Sequence, residues 1–393
     1  MSLILTRNQN VRAAGRLDKF EMRPSRYGAL DLFLMQSDDP TGIITEDMKT
    51  KGMSSMGNTF EVPVIDYDGD VTISNTRSVT ISDSENTSNM VTITWNTFSF
   101  GFTIAPMALG NNEISIQQDY EAKLKKYILK LASTIDSACV TSLAAAKTQV
   151  FNDALNYSIS GNSVQCPWSL RNNFIGDINV LMAANDFFDQ IHIVGSNGIE
   201  SIVRLLSEKG LYNAENKQLQ YSDKILHFTN QITSESNVFA TGYAVQSGSV
   251  GLLFRFEPDA INGTIARTGH EWGIDTLPML NIPVGTYYYE SVGDYSGIIG
   301  AASAHLTRTL KEHYGFSVDI AFLTAYNSDP TEVAAPIMKF EIASEAASDT
   351  MRVVVANTQA DPVYTQEVPT TTTVAPTTVA PTTTAAPTTT TAG

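Results

Sequence analysis

The chain has 393 residues, 42% of them hydrophobic, enough apolar material for two or three compact units with their own cores. A formal net charge of −16 excludes a coat that grips nucleic acid over its whole surface. Two cysteines, Cys139 and Cys166, lack CxxC spacing and read as two buried thiols in a reducing compartment. The N-terminus MSLILTRNQN is too short in apolar residues for a signal-peptide core, and no uninterrupted apolar run approaches the ~18–20 residues of a membrane span. A soluble protein made in a cytoplasm is expected.

In chain order, the first 50 residues form an arm and lead-in. Arg7, Arg12, Arg16, Lys19, Arg23 and Arg26 face Asp18 and Glu21, a basic segment in an acidic protein. Its poor periodicity predicts an extended arm that lies on an acidic neighbour or faces nucleic acid.

Residues 51–107 read as a long β-ribbon. FEVPVIDY alternates, Asp68-Gly69 supplies a turn, VTISNTRSVTIS alternates again, and MVTITWNTFSFGFTI is strongly β-branched and aromatic. Such a ribbon cannot bury both faces in its own domain, and two strands alone are marginal in water, so it is expected to lie on another subunit. Asp66, Asp68 and Asp70 have the first ligand spacings of a calcium loop. The glycine comes one place too early, however, and Arg77 stands where a bidentate glutamate is needed, so the stretch reads as a hairpin turn.

Residues 108–174 hold the longest pattern in the chain. Ile116, Tyr120, Leu124, Ile128, Leu131, Ile135, Cys139 and Leu143 recur at spacings of three and four, an apolar stripe along one helix over at least Ile116–Ala144. Ser115 and Gln118 have capping-box spacing, and Lys123, Lys125, Lys126 and Lys130 fall off the stripe. Residues 175–285 alternate helix and strand, with a helix over Ser169–Ala184 leading in, a strand at 191–194, a helix over Gly198–Lys209, and strands at 225–228, 238–245 and 250–256. This reads as an inserted α/β unit. Residues 286–358 return to β structure and are the expected partners of the long helix. From 359 the chain becomes a Thr/Pro-rich tail, expected to be extended and polyproline-like.

Catalytic motifs are missing. His270-Glu271 lacks the second histidine of a zinc-hydrolase pair, and there is no phosphate-binding glycine loop or nucleophile elbow. No catalytic residue, cofactor or metal is expected.

Arm, projecting ribbon, long helix, inserted α/β unit and return strands, in that order, resemble the HK97-like fold of the major capsid proteins of tailed bacteriophages. The stretch FGFTIAPMALGNNEISIQQDYEAKLKKYILKLAS and the segment HIVGSNGIESIVRLLSEKGLY carry the resemblance, over residues 1–358. It implies an α+β fold with an extended loop at 51–107, a peripheral domain built from 108–174 and 286–358, and an axial domain at 175–285. It implies self-assembly through pentamers and hexamers into an icosahedral shell around double-stranded DNA, no membrane, and scaffold, portal or decoration proteins as further partners. The basic residues of the arm would meet DNA or a neighbour, and Asp66, Asp68, Asp70 and Arg77 would lie in the inter-subunit ribbon. In one respect the chain departs from some members, since residues 58–107 contain no lysine for a covalent cross-link between subunits. Other readings are a secreted or surface-anchored adhesion protein with a mucin-like stalk, a tail-tube protein, an encapsulin, or an enzyme without recognisable motifs.

Overall fold

A computed structural model describes residues 3–14, 27–37, 46–65, 88–106, 113–147, 151–207, 220–255, 270–293, 309–324 and 336–345, apart from single positions at 56, 152, 186, 188, 189, 222, 223 and 279. The chain opens with helices α1 (Leu3–Ala14), α2 (Gly28–Ser37) and α3 (Glu46–Ser54), then strands β1 (Thr59–Ile65), β2 (Ser88–Thr94) and β3 (Asn96–Ile104). The long helix α4 (Glu113–Ala146) follows, then β4 (Ser158–Ser160), β5 (Ser163–Cys166), α5 (Arg171–Ala184), β6 (Ile191–Gly195), α6 (Asn197–Ser207), β7 (Gln220–Tyr221) and β8 (Lys224–Phe228). Strands β9 (Val238–Gln246), β10 (Val250–Arg255), β11 (His270–Thr276), β12 (Pro283–Gly293), β13 (Thr309–Thr324) and β14 (Ile337–Ala343) complete the order. The fold is α+β. The tail and the last part of the expected return segment, residues 346–358, lie outside the described residues.

α4 covers the expected span and all eight stripe residues are buried. It begins at Glu113, so Ser115 sits inside the first turn rather than capping it. By length and composition alone α4 is long and apolar enough to cross a bilayer. Its stripe instead faces protein. An aromatic seam binds it to a five-stranded sheet. Phe98, Phe100 and Phe102 alternate along β3, so they point to one face. Phe100 stacks on Phe316 at 4.8 Å and on Tyr127 of α4 at 5.8 Å, while Tyr120 meets Tyr314 edge-on at 5.0 Å. Such pairs add to the burial of their area, which explains the choice of large rings where helix and sheet cross.

β13 is the trunk of that sheet. Residues 309–317 pair with β12 and 319–324 with β10 along one edge, while 312–320 pair with β3 along the other. The second sheet has seven strands in the order β4-β5-β14-β9-β6-β8-β7. Ile193, Ala244, Phe340 and Ile342 on one face pack with Phe174, Ile178, Ile199 and Val203 of α5 and α6. Val194, Val245 and Ile337 on the other face join the core of α4.

Two strands therefore belong elsewhere than expected. β10, read as part of the inserted unit, hydrogen-bonds to β13, and β14, read as a return strand on the long helix, meets that helix through Ile337 but lies inside the seven-stranded sheet between β5 and β9. Local apolar patterning marks a strand as buried but does not say which sheet will bury it.

The two sheets meet at α2. Asp136 of α4 accepts a hydrogen bond from the Leu30 amide at 2.9 Å and another from the Thr229 hydroxyl, so a carboxylate on one helix caps the start of another. Burial raises the Asp136 carboxyl above its ordinary range, and these hydrogen bonds act against that shift. Further along α2, Gln36 Oε1 accepts from the Val250 amide at 3.1 Å and Ser37 Oγ from the Leu252 amide at 2.7 Å. Gly28 lies so close to β8 that an added Cβ would meet the Phe228 backbone at 2.4 Å.

Candidate functional site: the arm and the ribbon base

The arm is helical over Leu3–Ala14, where an extended segment was expected. LILTRNQNVRAA has no proline or glycine to interrupt a helix, and Val11 supplies an apolar anchor that is 1% exposed. Arg7 is buried rather than presented to DNA. Its guanidinium lies 3.4 Å from Glu312 on β13, whose carboxylate also accepts from the Tyr314 hydroxyl at 2.5 Å. A buried carboxylate needs such a partner, because an unpaired charge in a core is expensive. Arg12 bonds Asp275 at 2.5 Å and the Thr276 carbonyl, and Asn8 donates to the same aspartate at 2.7 Å. Two of the six predicted arm cations are thus engaged by acids of their own chain. Arg16, Lys19, Arg23 and Arg26 lie outside the described residues.

The ribbon is rooted where it leaves the sheet. β1 and β2 pair antiparallel from Thr59↔Thr94 to Ile65↔Ser88. The continuous run read from MVTITWNTFSFGFTI divides at Trp95, with β2 in the ribbon and β3 in the five-stranded sheet. Trp95 is buried, packs on Phe60 at 5.2 Å, and carries the Arg255 guanidinium over its ring at 4.6 Å. Arg255 donates from Nη1 to the Ser55 and Gly57 carbonyls, each at 2.7 Å, and from Nη2 to Asp319 at 2.9 Å. One planar fork therefore ties the start of the ribbon segment to the trunk strand, a geometry that a lysine cannot supply. Between the ribbon base and α4 lies an apolar groove of about 750 Å³, lined by Met48, Val62, Ile93, Ala138, Ala145 and Phe322.

Arg255 was not singled out by sequence reasoning. Its signal is a lone cation at the end of the apolar strand VGLLFRF. Asp66, Asp68, Asp70 and Arg77, with the turn at Asp68-Gly69 and the calcium-like spacing, lie outside the described residues.

Arg255→Ala is expected to strip Asp319 Oδ2 and two carbonyls of their guanidinium donor, while the Thr97 hydroxyl still donates to Oδ1 at 2.6 Å, at a cost of up to about 3–5 kcal/mol. Arg255→Lys should recover only part of that. Urea unfolding of the two variants beside the parent checks it; equal midpoints would show that the fork does not secure the ribbon.

Cys139 and Cys166 are both buried and unlinked. Burial, reinforced by Asp177, pushes the Cys166 thiol up to about 12, and burial also raises Cys139. Neither is a thiolate at neutral pH. Among the described residues no group of three or more His, Cys, Asp or Glu side chains could hold a metal.

No family model and no curated protein matches the chain. Among solved structures it is similar to the capsid of Ralstonia phage GP4, at 11% identity and a TM-score of 0.44, covering 82% of this chain and 92% of that one. A Mycobacterium phage Bobi structure is similar at 11% identity and a TM-score of 0.41, covering 82% and 91%. The capsid of a native GTA particle follows at 12% identity and a TM-score of 0.40, covering 77% and 92%.

Proposed function

We propose that the chain is a shell-building subunit, a major capsid protein of a tailed bacteriophage whose copies assemble head to tail around double-stranded DNA. The ribbon carries this reading. Among the described residues, β1 and β2 form a ladder with each other and with no third strand. Phe60 and Val62 face inward at the base, while Thr59, Glu61, Met90, Thr92 and Thr94 are exposed. A two-stranded ribbon is marginally stable alone, so a surface supplied by a second copy gives it the support its own domain does not.

The rest of the chain agrees with that role. α4 and the sixteen-residue β13 lie together as a stiff layer, and the seven-stranded body is joined to it through α2. Such a layer offers broad surface for repeated contacts that close into rings. The acidic net charge keeps the body from binding DNA tightly, and the basic residues 16–26 would make the limited contact. Sedimentation velocity of the purified full chain tests the reading. Species many times heavier than the 42.7 kDa monomer are expected, and a monomer at every concentration would reject it.

A further inference from the structure

We infer that His192 and His227, with Asp31, form a proton-sensitive latch between α2 and the seven-stranded sheet, closed while the two rings share one proton and released when both are charged. The histidines sit on the neighbouring parallel strands β6 and β8, in the register His192↔Ile225 and Val194↔His227, so they point to the same face. That is the face on which Val194 and Val245 join the core of α4. The rings lie nearly parallel, 5.5 Å between centroids, with His192 Nδ1 3.2 Å from His227 Nε2. His227 Nδ1 lies 3.0 Å from Asp31 of α2. Both histidines are 1% exposed, whereas the Asp31 side chain is 45% exposed and connects the buried rings to water.

The proton count follows from the geometry. The Asp31 carboxylate accepts the His227 Nδ1–H, which leaves His227 Nε2 facing His192 Nδ1. One proton fits between those nitrogens, donated from either ring. A second would set two N–H groups head to head and place two cations in a buried site beside one carboxylate.

The other charged and titratable groups on the surrounding elements are engaged separately. Asp136 of α4 is held by Leu30 and Thr229. Glu341 of β14 pairs with Lys339 at 2.6 Å and accepts from Gln165 at 2.6 Å. Tyr243 of β9 is raised by burial and stays neutral. Lys224 of β8 turns to the opposite face, donating to the Ile175 and Gly176 carbonyls. Asp31 is the carboxylate that the described residues bring to His227.

The position gives the latch its leverage. α2 is bonded to α4 through Asp136 and to β10 through Gln36 and Ser37, and it reaches the seven-stranded sheet through the Tyr27–Thr229 bridge and the His227–Asp31 contact. Loosening the last of these frees one sheet to shift on the other. The inference concerns the joint within one chain and holds whether or not copies assemble.

Hydrogen exchange of the full-length protein at pH 7.5 and pH 5.5, corrected for intrinsic exchange, tests it. Opening lets the pair take up one further proton, so the closed latch weakens by at most about tenfold for each unit the pH falls. We expect that loss of protection in α2 (28–37), with α5 and α6 unchanged. In His192→Gln, which keeps a polar side chain but does not titrate, the pH dependence of α2 should disappear. Undiminished protection of α2 at pH 5.5, an equal loss over α5 and α6, or a pH response that survives in folded His192→Gln would overturn the latch. Should His192→Gln not fold, the contrast between α2 and α6 in the parent decides.

Discussion

Ile128→Asp is expected to yield insoluble protein. Ile128 is fully buried at the middle of the α4 stripe, in one core with Phe102, Tyr314 and Phe316. Losing the aliphatic side chain costs about 2–5 kcal/mol. The carboxylate adds a buried group without a partner, about 3–5 kcal/mol more, or protonates to avoid it. Together these approach the whole ~5–15 kcal/mol stability of a domain. Lys126→Asp, two residues away on the exposed face of α4, should change stability by less than about 0.5 kcal/mol. Soluble yield and urea midpoints of the pair check the contrast. An Ile128→Asp chain as stable as Lys126→Asp would mean that the stripe faces no core.

Removing 66–87 should do the reverse, sparing the fold and abolishing assembly. Ile65 and Ser88 stand opposite each other in register, so an Asn-Gly turn can close the ribbon there without disturbing β1 or β2. The anchors at Phe60, Trp95 and Arg255 all remain. A cost below about 1 kcal/mol keeps the melting temperature within about 2–4 °C of the parent. Sedimentation should then show a folded chain confined to small species. A collapsed melting transition would place the excised stretch in the core. Large particles from the shortened chain would remove the ribbon from the contacts between copies.

What could be read from the sequence had a local cause. The α4 stripe, the β-branched and aromatic run that holds β3, and the succession of β6 and α6 are local patterns, and each appears where the sequence placed it. Sheet membership has no such pattern. β10 and β14 are buried strands in either sheet, and a partner nearly seventy residues beyond β10 decides its placement. The division at Trp95 was hidden for the same reason, since alternation continues through a residue whose ring is buried under Arg255.

Isolated charges were the least legible. Asp136 lies beside an apolar stripe and Arg255 ends an apolar strand, and nothing adjacent to either reveals the amides or carbonyls it serves. The arm misled because its charges read as surface. Arg7 is turned inward by Glu312, more than three hundred residues away.

Electron microscopy of the overexpressed full chain tests the central claim most directly. Closed shells, rings or sheets of one repeating subunit are predicted, with density for the ribbon lying across a neighbouring copy. Fields of separate monomers, or assemblies whose ribbons fold back on their own subunit, would contradict it.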